Sequence, residues 1–302
     1  MRITVAGGTG YIGSRLTKFL REKGHEVLAV SRKFVDLKNP ASAHMVCDGA
    51  DMVFNLAANV GGIGFVSKSR TDCLLSSLIN TNLLTASVDC GVKRYFFASS
   101  SCIYPDSAYG AALIESDAYP ASPAVDYGWE KLFSERMCSA FSAEKNLPTT
   151  VARLHGVYGP GDIRPEGRDH VVTALCRKVI AAKLSGSNEI AIWGDGTQTR
   201  SFIFIDDVIE GIWKLALQGV PGPINLANSE IVSVNDIVNM LEDIAGVKPT
   251  RFYSVDAPVG CKHKIANVAA LRKAINWEPM TTIRNGLEIV YRELWDQTIQ
   301  KL

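Results

Sequence analysis

The sequence predicts an α/β protein in which a Rossmann-type doubly wound parallel sheet is joined to a smaller mixed α/β substrate-binding domain. Short runs of β-branched residues, bounded by turn residues, recur through the first half of the chain. Helix-like stretches lie between most of these runs, and this alternation is typical of right-handed βαβ units with helices on both faces of the sheet. A glycine-rich turn follows the first run and opens the first helix.

The predicted strands of the sheet follow one another along the first half of the chain. They are Ile3 to Ala6, Glu26 to Val30, Asp51 to Leu56, Arg94 to Ala98 and Thr149 to Leu154. The stretch 31–49 is too short for a full helix between full-length elements, so we expect one abbreviated crossover.

Smaller elements follow residue 156. We expect a Gly/Pro-rich loop at 158–161, a helix from about Val171 to Ala182, strands near Ile190 and Phe202, a helix from Val234 to Ala245 and an amphipathic helix within 281–302. The predicted dinucleotide-binding domain comprises residues 1–156 plus about 201–228. The predicted substrate-binding domain comprises about 157–200 and 229–302.

Composition excludes several classes of protein. Lys and Arg total 32 against 31 for Asp and Glu, giving a net charge of +1 without a basic tract. Neither nucleic acid nor a membrane surface is therefore an expected partner. The seven cysteines form no C-x-x-C pair, so we expect no disulfide framework, no bound metal and a cytoplasmic location.

The glycine-rich turn is a candidate phosphate-binding loop. It reads Gly7-Gly8-Thr9-Gly10-Tyr11-Ile12-Gly13 and directly follows the first strand. Glycines at this spacing allow a tight turn and let backbone N–H groups and the helix N-terminus approach a pyrophosphate. Gly7, Gly10, Tyr11, Ile12 and Gly13 are therefore predicted to bind a dinucleotide.

The end of the second strand bears on which dinucleotide is bound. An acid at this point usually binds the ribose 2'-hydroxyl of NAD, whereas this chain has Ser31-Arg32-Lys33, which suits the 2'-phosphate of NADP. The alternative is that Arg32 and Lys33 are solvated surface residues and that Asp36 bends back to the ribose of NAD.

A candidate catalytic group combines a strand end and a helix. Tyr127 and Lys131 are four residues apart and would share one helix face. Ser100 follows a predicted strand at its carboxyl end, where open α/β sheets bind ligands. A hydroxyl near Tyr127, with a lysine cation that lowers the pKa of the phenol, would make a proton-transfer and hydride-transfer site for an alcohol or a ketone.

Together these motifs resemble the extended short-chain dehydrogenases/reductases of the nucleotide-sugar branch, over essentially the whole chain. The motifs that carry the resemblance are Gly7-x-x-Gly10-x-x-Gly13, Asn55-Leu56-Ala57-Ala58, Ser100 with Tyr127-x-x-x-Lys131, Tyr158-Gly159-Pro160, and Trp193-Gly194-Asp195-Gly196 followed by Arg200-Ser201-Phe202.

The resemblance implies an enzyme that binds NAD(P) and a nucleoside-diphosphate sugar. It implies that Ser100 and Tyr127 hold a sugar hydroxyl or carbonyl, while Lys131 orients the ribose and acidifies the phenol. Ala57 and Ala58 would contact the cofactor. The substrate-binding residues that it implies are Gly61, Gly62, Ser101, Lys178, Trp193 and Arg200, the last pairing with the diphosphate.

Narrower features resemble two enzyme families of this branch, the GDP-mannose 3,5-epimerases and the GDP-L-fucose synthases. These features include Val60-Gly61-Gly62-Ile63-Gly64, Ser101-Cys102-Ile103-Tyr104-Pro105 and Arg168-Asp169-His170. A carbonyl at C4 of a hexose acidifies the hydrogens on C3 and C5, and inversion needs a base on one face and an acid on the other. The resemblance implies that Cys102 and His170 supply these two groups, and the sequence leaves open which is which.

Other interpretations remain beside this one. The chain has Gly156 where an asparagine is common in the family, which removes a usual polar contact with the substrate. A non-catalytic dinucleotide-binding sensor is a rival class, but such proteins typically lose the Tyr/Lys pair that this chain keeps. The resemblance also implies a homodimer, expected through the helix faces near Leu83 to Val88 and around Leu132, Phe133 and Met137.

Overall fold

The computed structural model describes residues 1–106, 112–162, 169–187, 189–257 and 260–301. The strands are β1 (Arg2–Ala6), β2 (Glu26–Val30), β3 (Met52–Asn55), β4 (Arg94–Ser100), β5 (Thr149–Leu154), β6 (Val157–Tyr158), β7 (Glu189–Trp193), β8 (Thr199–Ser201), β9 (Ile203–Phe204), β10 (Ile224–Leu226), β11 (Ile231–Ser233), β12 (Thr250–Ser254) and β13 (His263–Lys264). The α-helices are α1 (Tyr11–Glu22), α2 (Pro40–Cys47), α3 (Ile63–Val66), α4 (Arg70–Leu74), α5 (Ser76–Asp89), α6 (Asp126–Lys145), α7 (Val171–Ser185), α8 (Ile205–Gln218), α9 (Val234–Ala245), α10 (Ala269–Ile275) and α11 (Ile283–Ile299).

The main sheet has six parallel strands in the order β10-β5-β4-β3-β1-β2. This sheet confirms the predicted fold class. The strand order reverses beside β1, so the sheet has a topological switch point at the carboxyl ends of its strands, where open α/β sheets bind ligands. The abbreviated crossover is confirmed as α2, an eight-residue helix that the Asn39 side chain caps by accepting the Ala41 N–H at 2.9 Å.

Helices cover both faces of this sheet over two hydrophobic cores. One core packs α1 and α8 against the sheet through residues such as Leu16, Leu20 and Val208. The other packs α2, α5 and α6 through residues such as Leu83 and Cys138. The first core continues without a break into α7, α9 and α11, so it also supports the smaller sheets.

The smaller sheets contain the strands expected in the second half. β7 pairs with β12, and β8 lies between β11 and β13. The strand expected near Phe202 is split into β8 and β9, which belong to different sheets. The split falls where the Phe202 carbonyl accepts the Asn228 N–H at 3.0 Å and its ring packs edge-on against Tyr158. The division into two domains remains a prediction.

The helix faces expected to join two copies are largely internal to this chain. Leu83 and Leu132 are buried in its own cores because α5 and α6 pack against each other and against the sheet. Phe133 has 53% of its surface exposed, Thr85 is exposed as well, and Val88 and Met137 are partly buried. The expected dimer face was therefore wrong in most of its residues. Among the described helices, none is long and apolar enough to cross a membrane.

Candidate active site

A cavity of about 800 Å³ lies at the carboxyl edge of the main sheet. It is bounded by the ends of β4 and β5, the start of α6, the start of α7 and the β8–β13 pair. The five predicted catalytic residues all line it, namely Ser100, Cys102, Tyr127, Lys131 and His170. The fold thus brings together side chains that lie up to 70 positions apart in the sequence.

Ser100 and Cys102 are held by the end of β4. Ser100 is the last residue of the strand, and the chain then enters a 3-10 turn, Ser101–Ile103. The Ser100 Oγ accepts the Cys102 N–H at 3.1 Å, which ties the backbone at the cysteine to the serine. The Ser100 hydroxyl is also hydrogen-bonded to the Tyr127 phenol.

Tyr127 and Lys131 lie on the same face of α6, as their spacing predicts. The Lys131 Nζ is 5.6 Å from the centre of the Tyr127 ring and 4.6 Å from that of Phe97. Only 2% of the Lys131 surface is exposed, and its Nζ lies 3.6 Å from Oε2 of the equally buried Glu130. A carboxylate that the motif did not single out therefore balances the lysine charge.

The pKa of the Tyr127 phenol is raised well above its usual value, mainly by burial. Cys102 and Glu130 raise this pKa further, while the hydrogen bond with Ser100 lowers it. The expected lowering of the pKa by Lys131 is thus not found in the protein alone. The phenol keeps its proton at neutral pH, which suits a group that donates a proton to a carbonyl.

Gly128 sets the distance between α6 and the Cys102 turn. A Cβ at this position would lie 2.1 Å from the Cys102 carbonyl oxygen, so a larger residue does not fit without movement of the backbone. Because Gly128 directly follows Tyr127, this close approach holds the phenol and the thiol on one wall of the cavity.

His170 lies on the wall formed by the start of α7. It is the N-cap residue of this helix, and its Nδ1 is 3.3 Å from Oδ2 of Asp162. Cys102 is partly buried, and 30% of the His170 side chain is exposed. Arg168, which belongs to the motif that ends at His170, lies outside the described residues.

The six residues expected to bind substrate also line the cavity, namely Gly61, Gly62, Ser101, Lys178, Trp193 and Arg200. The Arg200 Nη1 donates to the carbonyls of Thr199 and Lys262 at 2.8 and 3.2 Å, which fixes the guanidinium. The Lys178 Nζ donates to the Ala191 carbonyl at 2.7 Å. Burial lowers the pKa of Arg200 and of Lys178.

Sequence reasoning missed several polar residues of the cavity. Lys264 is aligned with Arg200 in the parallel pairing of β13 with β8, and both line the cavity. Gln198 lines it as well, as does Asp169, which the sequence analysis named only as part of the motif that ends at His170. No motif contains Lys264, and only the sheet register places it beside Arg200.

The glycine loop fits a dinucleotide. An ideal Cβ on Gly13 would lie 2.1 Å from the Gly7 carbonyl oxygen, so only glycine allows the loop to fold this tightly against α1. The helix begins after Gly10 with no side-chain cap and no acid in its first turn, which leaves N–H groups for a pyrophosphate. Tyr11 and Ile12 line the cavity that continues from the loop.

The other predicted cofactor residues lie along the same edge. Ser31 directly follows β2, and Arg32 is exposed beside it. Asp36 accepts the Lys38 N–H at 3.1 Å within its own turn. Which of Arg32 and Asp36 meets the ribose remains a prediction.

Ala57 and Ala58 follow β3. Ala58 lines the cavity, while Ala57 donates its N–H to Asn55 Oδ1 at 3.1 Å and lies outside the lining. Within the described residues no cluster of His, Cys, Asp or Glu is arranged to hold a metal ion.

The fold and the site define a class of protein: an NAD(P)-dependent enzyme whose cavity lies at the edge of a doubly wound sheet and is lined by a serine, a tyrosine and a lysine. The chain belongs to the NAD dependent epimerase/dehydratase family, whose family model matches residues 3–227. GDP-mannose 3,5-epimerase 1 of Oryza sativa subsp. japonica is 32% identical over 96% of this chain and 81% of its own length. GDP-L-fucose synthase of Sinorhizobium fredii is 28% identical over 96% of this chain and 94% of its own. The UDP-glucose 4-epimerase structure from Thermotoga maritima has the same fold, with a TM-score of 0.85 and 22% identity over 99% of this chain and 100% of that one.

Proposed function

We propose that the protein is an NAD(P)-dependent nucleotide-sugar 3,5-epimerase that acts on a GDP-linked hexose through a 4-keto sugar. The observation that carries this proposal is the presence of Cys102 and His170 in the same cavity as Tyr127 and Lys131. Cys102 belongs to the turn after β4, and His170 begins α7. These two elements approach the cavity separately, as acid and base on opposite faces of a sugar require.

Tyr127 and Ser100 would act at the oxygen on C4. Tyr127, hydrogen-bonded to Ser100, would take the O4 proton in its phenolate form as hydride leaves C4, and the resulting phenol would return that proton to the C4 carbonyl oxygen when the hydride comes back. The dinucleotide, when bound, supplies hydride exchange at C4. Cys102 and His170 would then remove and return protons at C3 and C5, which the C4 carbonyl acidifies.

The cationic end of the cavity suits a diphosphate. Arg200 and Lys264 lie side by side on adjacent strands, and Lys178 lines the same cavity. Cations held in a partly buried wall bind phosphate oxygens more strongly than exposed ones. The GDP-linked sugars in the names of the relatives support guanosine as the nucleoside.

A second candidate is the reductase version of the same chemistry, as in the GDP-L-fucose synthases. Two features of the chain favour it: exposed Arg32 just after β2, where it suits a 2'-phosphate, and His170, where the resemblance to the GDP-mannose 3,5-epimerases implies a lysine. In this version the substrate enters as the ketone and NADPH is consumed.

The absorbance of NADPH separates the two versions. Purified protein is mixed with NADPH and GDP-4-keto-6-deoxymannose. Loss of absorbance supports the reductase, whereas constant absorbance with epimerised product supports the redox-neutral enzyme, with GDP-mannose as its next substrate. If neither sugar reacts, the proposal is wrong.

Solvent deuterium tests the role of Cys102. The Cys102→Ala variant is expected to lose deuterium incorporation at C3 and C5 while it still binds dinucleotide. Cys90→Ala is the control, because Cys90 lies at the end of α5, outside the cavity lining. Wild-type exchange in Cys102→Ala would contradict the assignment.

The proposal includes a homodimer in the cytoplasm. Leu78 on α5 and Trp129 and Phe133 on α6 are 45 to 53% exposed on two helices that pack together, and Leu74 at the end of α4 is 41% exposed. All seven cysteines are free thiols, which suits a reducing compartment. Sedimentation equilibrium of the wild type and of Phe133→Asp tests the dimer, and a wild-type monomer would contradict it.

A further inference from the structure

A fully buried hydroxyl lies directly behind the Cys102 turn. Tyr104 follows the turn Ser101–Ile103 and is 0% exposed, and it does not line the cavity. Its hydroxyl accepts from Arg153 Nη1 at 3.0 Å and donates to Asn225 Oδ1 at 2.6 Å. Burial raises the pKa of Tyr104 to about 12, so the hydroxyl keeps the proton that it donates.

Both partners of this hydroxyl are themselves fixed. The Glu135 carboxylate of α6 binds the Arg153 guanidinium at 2.9 and 2.7 Å. The Asn225 Nδ2 donates to the carbonyls of Leu113 and Asn267 at 2.9 and 3.3 Å, which leaves Oδ1 as the acceptor. Strands β5 and β10 and helix α6 therefore converge on one hydroxyl next to the turn.

The turn that carries Cys102 has little stiffness of its own, because it is a single 3-10 turn. Its first end is fixed by Ser100, which belongs to β4 and pairs with β5. The Cys102 N–H donates to Ser100 Oγ, and the Tyr104 N–H donates to the Ser101 carbonyl at 3.3 Å. Gly128 packs against the Cys102 carbonyl, a contact that limits only movement of the turn toward α6.

We propose that the Tyr104 hydroxyl positions the Cys102 thiol on the cavity wall, an inference that rests on the proposed epimerisation. Tyr104 acts through the turn and is a positioning residue. Its two hydrogen bonds limit the movements of the turn that the contact with Gly128 leaves free. Loss of the hydroxyl should displace the thiol that exchanges protons with the sugar. Ser100 and Tyr127 belong to β4 and α6, so they should keep their places for the step at C4.

Tyr104→Phe removes the hydroxyl and keeps the ring. Arg153 Nη1 also donates to the Glu115 carbonyl at 2.6 Å. Asn225 Oδ1 also faces His155 Nε2 at 3.1 Å. Both partners thus keep a hydrogen bond, and we expect the variant to fold.

The two steps of the reaction should respond differently to this substitution. Solvent deuterium incorporation at C3 and C5 should fall about 10² fold, because a small displacement of a catalytic group is this costly. Hydride removal from C4 of GDP-mannose comes before proton exchange, so the appearance of reduced nicotinamide in a single turnover should stay within about threefold of the wild-type rate. For an enzyme that takes the ketone, the Kd for GDP-4-keto-6-deoxymannose replaces this rate as the quantity that stays within about threefold.

Tyr95→Phe is the matched control. Tyr95 is 1% exposed, and its hydroxyl accepts from Asn55 Nδ2 at 3.0 Å and donates to Asn80 Oδ1 at 2.9 Å. It lies at the other end of β4 from the turn, so the same chemical change should leave deuterium incorporation near the wild-type rate. Equal losses in the two variants, equal losses of the two steps in Tyr104→Phe, or wild-type incorporation in that variant would overturn the proposal.

Two measurements without a sugar separate this inference from the proposed function. Alkylation of Cys102 by iodoacetamide, followed on its peptide by mass spectrometry, should be roughly threefold or more faster in Tyr104→Phe and unchanged in Tyr95→Phe, because the reactivity of a thiol follows its exposure. If no GDP-sugar reacts but this difference is found, the role of Tyr104 stands and only the proposed function fails. Equal alkylation rates in Tyr104→Phe and the wild type would overturn the role of Tyr104.

Hydrogen exchange of the wild type decides the matter if Tyr104→Phe does not fold. The amides of Cys102 and Tyr104 should then exchange as slowly as those at the end of β4, because the turn opens only together with its fixed surroundings. Exchange at the rate of an unprotected turn would contradict the proposal.

Discussion

Replacing Gly128 with alanine tests whether the distance between α6 and the Cys102 turn controls catalysis. The new Cβ would lie 2.1 Å from the Cys102 carbonyl oxygen, whereas ordinary contact begins near 3.4 Å. The turn or the helix must therefore move by roughly 1 Å, a displacement that can cost about 10² fold in rate when it separates catalytic groups. We expect kcat to fall by about this factor.

Stability and cofactor binding should change much less than kcat. Overpacking of this kind costs about 1–3 kcal/mol, and alanine returns some of that through its higher helix propensity. The phosphate loop is formed by β1 and α1, and α6 supplies only Tyr127 and Lys131 near the cofactor, so the Kd for the dinucleotide should change much less than kcat. Single-turnover kinetics, fluorescence titration with the dinucleotide and urea unfolding measure the three quantities.

Gly211→Ala is the matched control. Gly211 also lies within a helix, and its Cβ would meet the ends of the Leu226 and Trp277 side chains rather than backbone. These ends can rotate, and none of the three residues lines the cavity. Gly128→Ala with wild-type kcat, or an equal loss of kcat in Gly211→Ala, would refute the reasoning.

Three other substitutions probe the cofactor and the buried polar groups. Arg32→Ala should raise the KM for NADPH about tenfold or more, because the charge-assisted hydrogen bond from the guanidinium to the 2'-phosphate is lost. The KM for NADH should not rise comparably. Equal effects on both KM values in steady-state assays would count against a 2'-phosphate contact. Glu135→Gln should lower the free energy of unfolding in urea by about 3–5 kcal/mol. The reason is that buried Arg153 loses the carboxylate that it binds at 2.9 and 2.7 Å. A loss below about 1 kcal/mol would contradict the importance of this ion pair. Burial lowers the pKa of His155 from 6.5 to about 4. The neutral imidazole therefore adds about 3 kcal/mol to the free energy of unfolding above pH 6.5, and this contribution is lost as the pH falls through 4. The free energy of unfolding of His155→Phe should vary less with pH over that range, and an unchanged slope would exclude His155 as the cause.

The sequence predicted the parts of the site that depend on secondary structure and on the spacing of residues along the chain. Strand β4 ends at Ser100 and helix α6 starts just before Tyr127, so a strand, a helix and their spacing are enough to place these side chains. The predicted first and last residues of β2 and β5 also match the structure, because turn residues flank each run of strand-forming residues.

Long-range register and burial explain what sequence reasoning missed. Lys264 lies beside Arg200 only through the pairing of β13 with β8, which no local pattern reveals. The apolar pattern of α5 could not tell a face that packs inward from one left at the surface, so Leu83 was assigned to an interface although it is buried. The raised pKa of Tyr127 depends on desolvation, which no spacing reveals.

The sixth strand of the main sheet bears on how the chain is synthesised and cut. β10 joins the sheet beside β5, and its Asn225 accepts the Tyr104 hydroxyl and donates its backbone N–H to Glu115. A polypeptide that ends before residue 224 would leave β5 as an unprotected edge and would remove the acceptor of the buried Tyr104 hydroxyl, and such edges promote aggregation. On the ribosome, the six-stranded sheet therefore cannot be completed until β10, and so most of the chain, has emerged. A proteolytic or engineered fragment meant to retain that sheet has to extend through Leu226.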